Sequence, residues 1–205
     1  MKQANSSVDV LIPVYNAEAT LREAIESVLC QTLTDIRIIF VDDGSTDGSA
    51  AILEDLRSKD PRVQVLTKPN GGIVDALNFG LTLCSADYIA RFDSDDVAFP
   101  DHLQNLCNYL DEHADCIAVG STVEHMDEFG RPLYGLPHPG SPLDANPRWA
   151  PALEPYLIHP FMMVRRRSLT EAGGYRYVFN SEDSDLYWRL SERGRLHNLQ
   201  IVGGK

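Results

Sequence analysis

Residues 91–101, RFDSDDVAFPD, hold the carboxylates whose spacing most strongly suggests chemistry in this sequence. Asp93, Asp95 and Asp96 fall within four consecutive positions, directly after an apolar run. Like charges this close repel one another and raise each other's pKa. The segment is either a solvated turn before the helix that Pro100 begins, or a site that a cation completes. We favour the cation, because an uncompensated cluster would cost stability and carboxylates at this spacing suit Mg²⁺ or Mn²⁺.

The elements that must position this cluster alternate between strand and helix through the first half of the chain. Short apolar, β-branched runs predict strands at 8–14, 36–41, 63–66 and 88–92, and apolar residues at helical spacing predict a helix after each strand. This alternation predicts an α/β fold with a parallel sheet, right-handed crossovers and helices on its faces.

A polar loop follows each of these four strands. The loops are Tyr15-Asn16, Asp42-Asp43, 68–71 and 93–96. The carboxyl ends of parallel strands lie along one edge of a sheet, and open α/β sheets bind their ligands at that edge. The acidic cluster is therefore predicted to lie where this architecture holds a ligand. The DDGS turn alone would be ordinary turn chemistry.

The second half of the chain is less regular. Strands are predicted at 117–119 and 161–164, and a helix is predicted at 181–194 with Ser181 as its N-cap. Residues 130–155 are rich in glycine and proline, which predicts a mobile loop over the site. Neither an internal repeat nor a linker divides the chain, so we predict a single domain.

Composition argues against several classes of partner and site. The 205 residues are 43% hydrophobic and carry a formal net charge of −12, so the surface would repel nucleic acid. No stretch approaches the roughly 20 apolar residues that a membrane span needs. The four cysteines form no CxxC pair, which predicts a reducing compartment and no structural zinc. The one tight basic run, Arg165-Arg166-Arg167, is interpreted as a solvated surface turn. We therefore expect a cytoplasmic protein.

Five motifs occur in a set order between Val8 and Arg193: VLIPVYN, VDDGSTD, KPNGG, FDSDD and SEDSDLYWRL. Each is weak alone, but the ordered set resembles the family 2 glycosyltransferases of the GT-A fold. The resemblance implies a Rossmann-like, mostly parallel sheet and one glycosyltransferase domain over 1–205. It implies a nucleotide-sugar-binding half at about 8–115 and an acceptor and catalytic-base half at about 116–205. The implied enzyme is a hexosyltransferase type that inverts the anomeric configuration and acts in polysaccharide biosynthesis.

The resemblance also implies which residues bind the donor, a nucleotide sugar that is usually UDP-linked. The positions that match the family's donor-binding residues are Pro13, Tyr15, Asn16, Asp43, Asn70, Gly71, Asn78, Asp93 and Ser94. Among them, Asp43 would hydrogen-bond the base, and Asn70 and Gly71 would flank the nucleotide. For Tyr15 and Asn78, packing and helix capping are equally consistent with the sequence.

The family's DxD motif matches Asp93-Ser94-Asp95, which implies a metal site for Mn²⁺ or Mg²⁺. Asp95 would ligate the cation that bridges the diphosphate, and Asp93 would face the ribose or a metal-bound water. Asp96 would support the loop or the donor sugar. Relatives often carry a further histidine after the ED helix, and His197 matches that segment poorly, so the third ligand is left open.

The family's ED pair matches Glu182-Asp183, which implies Asp183 as the general base. A carboxylate within hydrogen-bond reach can take the proton of an acceptor hydroxyl as that oxygen attacks the anomeric carbon. The alternative is that both are first-turn charges that interact favourably with the helix macrodipole. His159, Trp188 and Arg189 also match positions near the acceptor, although packing is the simpler interpretation of all three.

The resemblance implies a glycan or lipid-linked acceptor, whose choice we expect to depend on residues 125–160. Peripheral association at the inner face of the membrane is compatible with this acceptor. No QxxRW motif occurs, which argues against a processive polysaccharide synthase. Three alternatives are an inactive nucleotide-sugar-binding protein, a sugar-nucleotide pyrophosphorylase and a receiver-like signalling module. The pyrophosphorylase would need a glycine-rich basic loop after the first strand, which PVYNAEAT lacks. The sequence leaves the sugar, the linkage and the oligomeric state open.

Overall fold

The computed structural model describes residues 7–127, 131, 133 and 157–205, which form one seven-stranded sheet with helices on both faces. The strands are β1 (Val8–Val14), β2 (Ile36–Asp42), β3 (Val63–Thr67), β4 (Tyr88–Arg91), β5 (Cys116–Thr122), β6 (Met162–Arg165) and β7 (Arg195–Val202). The helices are α1 (Leu21–Leu29), α2 (Ser49–Lys59), α3 (Ile73–Leu81), α4 (His102–Glu112), α5 (Arg166–Glu171) and α6 (Glu182–Ser191). A short 3-10 helix, His159–Phe161, precedes β6.

The sheet has a parallel half and a mixed half. Its strand order is β3-β2-β1-β4-β6-β5-β7, and the first four strands in that order are parallel. β6 runs antiparallel to both β4 and β5, whereas β7 pairs parallel with β5. The carboxyl ends of β1 to β4 therefore lie along one edge, called here the carboxyl edge. This confirms the predicted α/β fold with a mostly parallel sheet, in which β6 is the antiparallel strand among those described.

Both faces of the sheet are covered by apolar layers. Along β1, Val10 and Ile12 join the layer beneath α1, α2 and α4, whereas Leu11 joins the layer that contains α3, α5 and α6. Successive strand side chains point to opposite faces, and all three residues are almost fully buried. Burial on both faces explains why β1 reads as a continuous apolar run.

Close packing of α3 on the sheet brings its N-terminus to the carboxyl edge. Gly80 lies against β1 and β2, where a Cβ would collide with Leu11 Cδ1 and lie 2.8 Å from Val41 Cγ2. The absence of a side chain at Gly80 therefore permits an approach that alanine would hinder.

The strands predicted at 8–14, 36–41, 63–66 and 88–92 are confirmed, with ends that differ by a residue at most. The helix predicted from 181 is also confirmed, and Ser181 occupies its N-cap position without a capping side-chain hydrogen bond. The predicted loop at 130–155 lies outside the described residues, apart from Arg131 and Leu133. Within the described residues, no helix is both long enough and apolar enough to cross a bilayer.

The prediction of a solvated turn at Arg165-Arg166-Arg167 is wrong for two of the three arginines. Arg165 ends β6 and donates to the backbone carbonyls of Cys116 and Leu110, at 2.9 and 2.6 Å. Arg166 begins α5 and donates to a carbonyl that precedes β4. Both guanidinium groups satisfy carbonyls at the ends of other elements, a use that the sequence pattern does not reveal.

Candidate active site

The acidic cluster extends from the end of β4 at the carboxyl edge. Asp93, Asp95 and Asp96 each offer a carboxylate oxygen that lies within 4.8 Å of the other two. Thr20, at the start of α1, holds the loop by donating from Oγ1 to the Ser94 carbonyl over 3.0 Å. Three converging carboxylates form the donor set that a hard divalent cation prefers, so these residues fit Mg²⁺ or Mn²⁺.

The cluster is electrostatically unfavourable on its own. Burial, followed by the charges of Asp93 and Asp95, raises the pKa of Asp96 to about 7. Burial and the Asp93 charge also raise the pKa of Asp95. Protonation of Asp96 near neutral pH relieves this repulsion when no cation is bound. Cation binding would displace that proton, so the two are expected to be linked.

A buried arginine side chain is paired with the cluster. Arg91, the last residue of β4, is 3% exposed and forms an ion pair with Asp93. A guanidinium buried this deeply requires an anionic partner. The ion pair therefore fixes the orientation of Asp93, whereas the side chain of Asp95 still reaches solvent although its carboxylate is partly desolvated.

A pocket of about 240 Å³ opens beside the cluster and is called here the edge pocket. Five of the predicted donor-binding residues line it: Pro13, Tyr15, Asp43, Asn70 and Asp93. They come from β1, from the loops after β2, β3 and β4, and thus from four separate parts of the sequence. An apolar and aromatic wall with a few polar groups is the composition expected of a small-molecule site.

Asp43 is more deeply engaged than the sequence suggests. It is 3% exposed, and its carboxylate accepts hydrogen bonds from Lys68 Nζ at 2.6 Å and from the Gly72 amide at 2.8 Å. The Gly71 amide also donates to it, and Lys68 pairs in addition with Asp75. A carboxylate has about four acceptor positions, so most of those on Asp43 hold the 68–72 loop. Sequence reasoning missed Lys68, although it stands in the KPNGG motif.

Two other predicted donor residues hold loops rather than line the edge pocket. Asn16 adopts a positive φ of 50°, and its Oδ1 accepts a hydrogen bond from the Thr46 amide at 2.8 Å. Asn78 exchanges two hydrogen bonds with the backbone of Tyr175, at 2.9 and 3.0 Å. The packing alternative for Asn78 is therefore the one that its contacts favour.

The second acidic segment forms the first turn of α6. Asp183 Oδ1 accepts a hydrogen bond from the next amide, Ser184, at 2.7 Å. Farther along α6, Arg189 pairs with Asp185 and donates to two carbonyls of the 172–174 turn. These contacts fix α6 against the preceding segment, so its first turn is a rigid place for a carboxylate.

The two acidic segments converge on one buried phenol. Burial raises the pKa of Tyr175, the charge of Arg91 opposes that shift, and the charges of Asp93, Glu182 and Asp183 add to it. Asp93 and the Glu182-Asp183 pair are about ninety positions apart in the sequence, yet their charges act on this one side chain.

His159 belongs to the buried layer beneath these carboxylates. Its Nε2 lies 3.0 Å from Tyr175 Oη. Burial, followed by the charge of Arg91, holds the pKa of His159 well below its usual value. A neutral, buried imidazole agrees with the packing interpretation, as do the contacts of Arg189, whereas Trp188 is 45% exposed.

A second and larger pocket, of about 540 Å³, also reaches the acidic cluster. Asp95 and Asp96 form part of its wall, together with Glu23, Glu124 and Asp127. An anionic group that entered this pocket without a cation would meet several carboxylates, which is costly.

Comparison of the sequence with known proteins identifies one family model and several related proteins. The model of the family described as "Glycosyl transferase family 2" matches residues 9–173. A putative glycosyltransferase, EpsE of Bacillus subtilis (strain 168), is 34% identical over 203 residues, which cover 94% of this chain and 70% of that protein. A chondroitin synthase of Escherichia coli is 30% identical over 199 residues, which cover 95% of this chain but 28% of that protein.

Solved structures share the fold. The crystal structure of residues 1–349 of S. aureus TarS superposes with a TM-score of 0.76 at 21% identity, over 96% of this chain and 59% of that chain. The mannosyltransferase PcManGT from Pyrobaculum calidifontis, in complex with GDP-Man and Mn²⁺, gives 0.76 at 19% identity, over 97% of this chain and 56% of that one. The chain thus spans less than two thirds of several proteins that it resembles.

Proposed function

The chain belongs to glycosyl transferase family 2 and is a glycosyltransferase of the GT-A fold that uses a nucleotide sugar; within that family, we propose that it uses a UDP-linked sugar and a divalent cation and inverts the anomeric configuration. Asp95 and Asp93 would hold Mn²⁺ or Mg²⁺, and Asp183 would act as the general base. The observation that carries this proposal is the convergence of three carboxylates beside the edge pocket.

In the proposed reaction, an acceptor hydroxyl attacks the anomeric carbon of the donor sugar. Asp183 takes the hydroxyl proton while the new carbon–oxygen bond forms. The bond from the anomeric carbon to the phosphate oxygen breaks, and its electron pair leaves with the nucleoside diphosphate. A divalent cation bound at the cluster would neutralise charge that develops on that leaving group. One displacement of this kind inverts the configuration.

The donor nucleoside is assigned to the edge pocket. Pro13, Tyr15 and Asn70 line it, and Asp43 closes it with a carboxylate that is already held by the 68–72 loop. TarS has been solved with UDP and with UDP-GlcNAc, and PcManGT with GDP-Man. A test of which nucleobase the edge pocket binds should therefore include both UDP and GDP.

The acceptor side is assigned to the second half of the chain. We propose the division at about residue 115, with the nucleotide-sugar-binding half before it and the acceptor and catalytic-base half after it. A glycan acceptor fits the relative named as a chondroitin synthase, and a lipid-linked acceptor remains the other form of this proposal. Cytoplasmic location with peripheral membrane contact is part of the same proposal.

A thermal-shift series tests donor and metal together. UDP and GDP are added to the purified protein with and without Mn²⁺, because a ligand that binds the native state raises the unfolding temperature by mass action. We expect UDP with Mn²⁺ to give the largest shift. A larger shift with GDP, or the same shift without metal, would contradict the UDP or the metal assignment respectively.

Matched variants test the two carboxylate roles. Asp95→Asn should remove the Mn²⁺-dependent part of the UDP shift and abolish UDP release from UDP-sugars. Asp183→Asn should keep the shift but lose transfer, with a fall of about 10²-fold or more for a lost general base. Asp101→Asn is the control. Asp101 lies in the same 91–101 segment as Asp95 and occupies the N-cap position of α4, but its side chain makes no capping hydrogen bond. Wild-type turnover in Asp183→Asn would exclude it as the base.

A further inference from the structure

The most exposed large apolar side chains among the described residues lie next to each other, just before α6. Phe179 is 92% exposed and Tyr177 is 73% exposed. Together with Val178 and with Ile73 of α3, they line a groove of about 410 Å³, called here the aromatic groove. Two neighbouring aromatic rings that are exposed to solvent indicate a ligand-binding or interaction surface.

The aromatic groove is continuous with the candidate active site. Gly72 and Ile73 line both this groove and the edge pocket. Glu182, the residue before Asp183, forms part of its wall. A ligand in the groove would therefore contact the rim of the donor pocket and the first turn of α6 at the same time.

The groove combines apolar rings with polar groups in a way that suits a saccharide. Tyr177 and Phe179 supply ring surfaces, and Asn180 and Glu182 supply an amide and a carboxylate. A pyranose has the matching chemistry, because its C–H faces pack against aromatic rings and its hydroxyls hydrogen-bond amides and carboxylates. A lipid chain would instead bury Asn180 and Glu182 without partners, which costs free energy.

The segment that carries the rings is held in place. Asn78 hydrogen-bonds the backbone of Tyr175 at its start, and the Ser181 amide donates to the Val178 carbonyl at its end. Asn180 adopts a positive φ of 50°, a conformation that asparagine tolerates better than most residues. A surface that is already ordered loses less conformational entropy when it binds a ligand.

We propose that the aromatic groove binds the acceptor, a neutral saccharide, with Phe179 and Tyr177 as the platform on which its ring stacks. The inference rests on the proposed function, because it assigns the acceptor side of the same reaction. The hydroxyls at the edge of a sugar ring stacked in the groove would point towards the start of α6, where Asp183 lies. The donor remains in the edge pocket on the other side of Ile73.

A glycan array tests the platform directly. Wild type, Phe179→Ala, Tyr177→Ala and Phe79→Ala are applied, with UDP and Mn²⁺, to an array of neutral oligosaccharides. Phe79 is the matched control, since it is an exposed aromatic on α3 that does not line the aromatic groove. We expect Phe179→Ala and Tyr177→Ala each to lose about tenfold or more in binding, as for a central aromatic contact, while Phe79→Ala binds as wild type does.

A second measurement separates this inference from the proposed function. UDP binding with Mn²⁺ is measured by calorimetry on the same four proteins, and we expect equal affinities. Wild type that binds no nucleotide would overturn the proposed function. Nucleotide binding without saccharide binding, or wild-type array binding by Phe179→Ala, would overturn the acceptor assignment alone. The acceptor assignment would also be overturned if Phe179→Ala lowered only the affinity for UDP, because the groove would then bind the donor. It would likewise be overturned if Phe179→Ala abolished binding to phosphatidylcholine vesicles, because the groove would then contact a membrane.

Discussion

At the scale of single residues, the site depends on charged side chains that hold other charged side chains. Lys68 and two backbone amides hold Asp43, and Arg91 holds Asp93. In each pair the carboxylate that faces the edge pocket is fixed by a cation from its own or a neighbouring element. Preorganisation of this kind lowers the cost of binding a ligand in one geometry.

Lys68→Met tests whether the loop that Lys68 holds is needed to bind the nucleotide. The variant keeps most of the side-chain stem but leaves Asp43 without its ammonium partner, so we expect UDP affinity to fall about tenfold, in line with the loss of a hydrogen bond between charged groups. Calorimetry with UDP and Mn²⁺ measures this. Lys59→Met is the control, because Lys59 pairs with Asp55 on the exposed face of α2. Affinity that stays the same or rises would show that Lys68 is not needed.

The sequence shows the clustered carboxylates of the candidate site more readily than the residues that position them. The acidic cluster and the start of α6 are visible because carboxylates concentrate within short segments. The partner of Asn78 is not visible, since it lies 97 positions later at Tyr175. Lys68 and Arg91 are single basic residues whose importance appears only when folding places them beside a carboxylate.

At the scale of elements, α3 is the helix whose placement matters most to the edge pocket. Its N-cap residue Gly72 and its first residue Ile73 line that pocket and the aromatic groove. Gly80, near the other end of α3, allows the helix to lie close on β1 and β2. The packing of one end of the helix therefore determines where the other end meets the ligand.

Gly80→Ala tests this close approach, because two effects have opposite signs. Alanine has a higher helix propensity than glycine, by about 1 kcal/mol. The new Cβ would collide with Leu11 and crowd Val41, and overpacking of a core costs roughly 1–3 kcal/mol. We expect the clash to prevail, with an unfolding temperature lower by a few degrees, about 2–4 °C per kcal/mol. A higher unfolding temperature in calorimetry would show that the helix moves away freely.

Several elements that lack a clear period were not predicted from the sequence. α5 has six residues and begins in a run of arginines, so it shows no apolar stripe. β7 places the polar Asn198 in a fully buried position, which breaks the alternation expected of a strand. The turn at His159–Phe161 likewise includes Phe161, which the sequence pattern predicts as the first residue of the strand at 161–164.

At the scale of the whole molecule, stability is coupled to pH through buried histidines on the mixed half of the sheet. Burial lowers the pKa of His102 to about 3, and burial with the charge of Arg91 lowers that of His159. An unfolded histidine titrates near pH 6.5. Between these values the unfolded histidines bind more protons than the native ones, so the histidines' contribution to stability is lost as the pH falls below about 6.5. The raised pKa of Asp96 opposes part of this loss.

His102→Gln measures this coupling. In urea unfolding of wild type, the free energy of unfolding should decrease as the pH is lowered from 7 to 5. In the variant, the slope of this free energy against pH should be smaller by the amount that corresponds to about one bound proton. His125→Gln is the control, since His125 is exposed and its replacement should leave the slope unchanged. An equal slope in wild type and His102→Gln would mean that His102 is protonated at no extra cost in the native state.

The parallel direction of β1 to β4 follows from the alternation of strands and helices, but the directions in the mixed half do not. Crossover connections lead from β1 to β2 and β3 and then back to β4, and connections of this kind are almost always right-handed. Nothing in the apolar pattern of 161–164 indicates that this segment would pair with β4 in the antiparallel direction. That pairing depends on contacts between segments far apart in the sequence.

The position of β6 between β4 and β5 has a consequence for synthesis of the protein on the ribosome. β5 leaves the exit tunnel before β6, yet it cannot join the sheet until β6 has paired with β4, for example through Ala90 and Met163. One side of β4 therefore awaits some seventy further residues of translation, and β5 awaits about forty. Nascent chains at this stage expose strand edges, which makes them natural clients for chaperones.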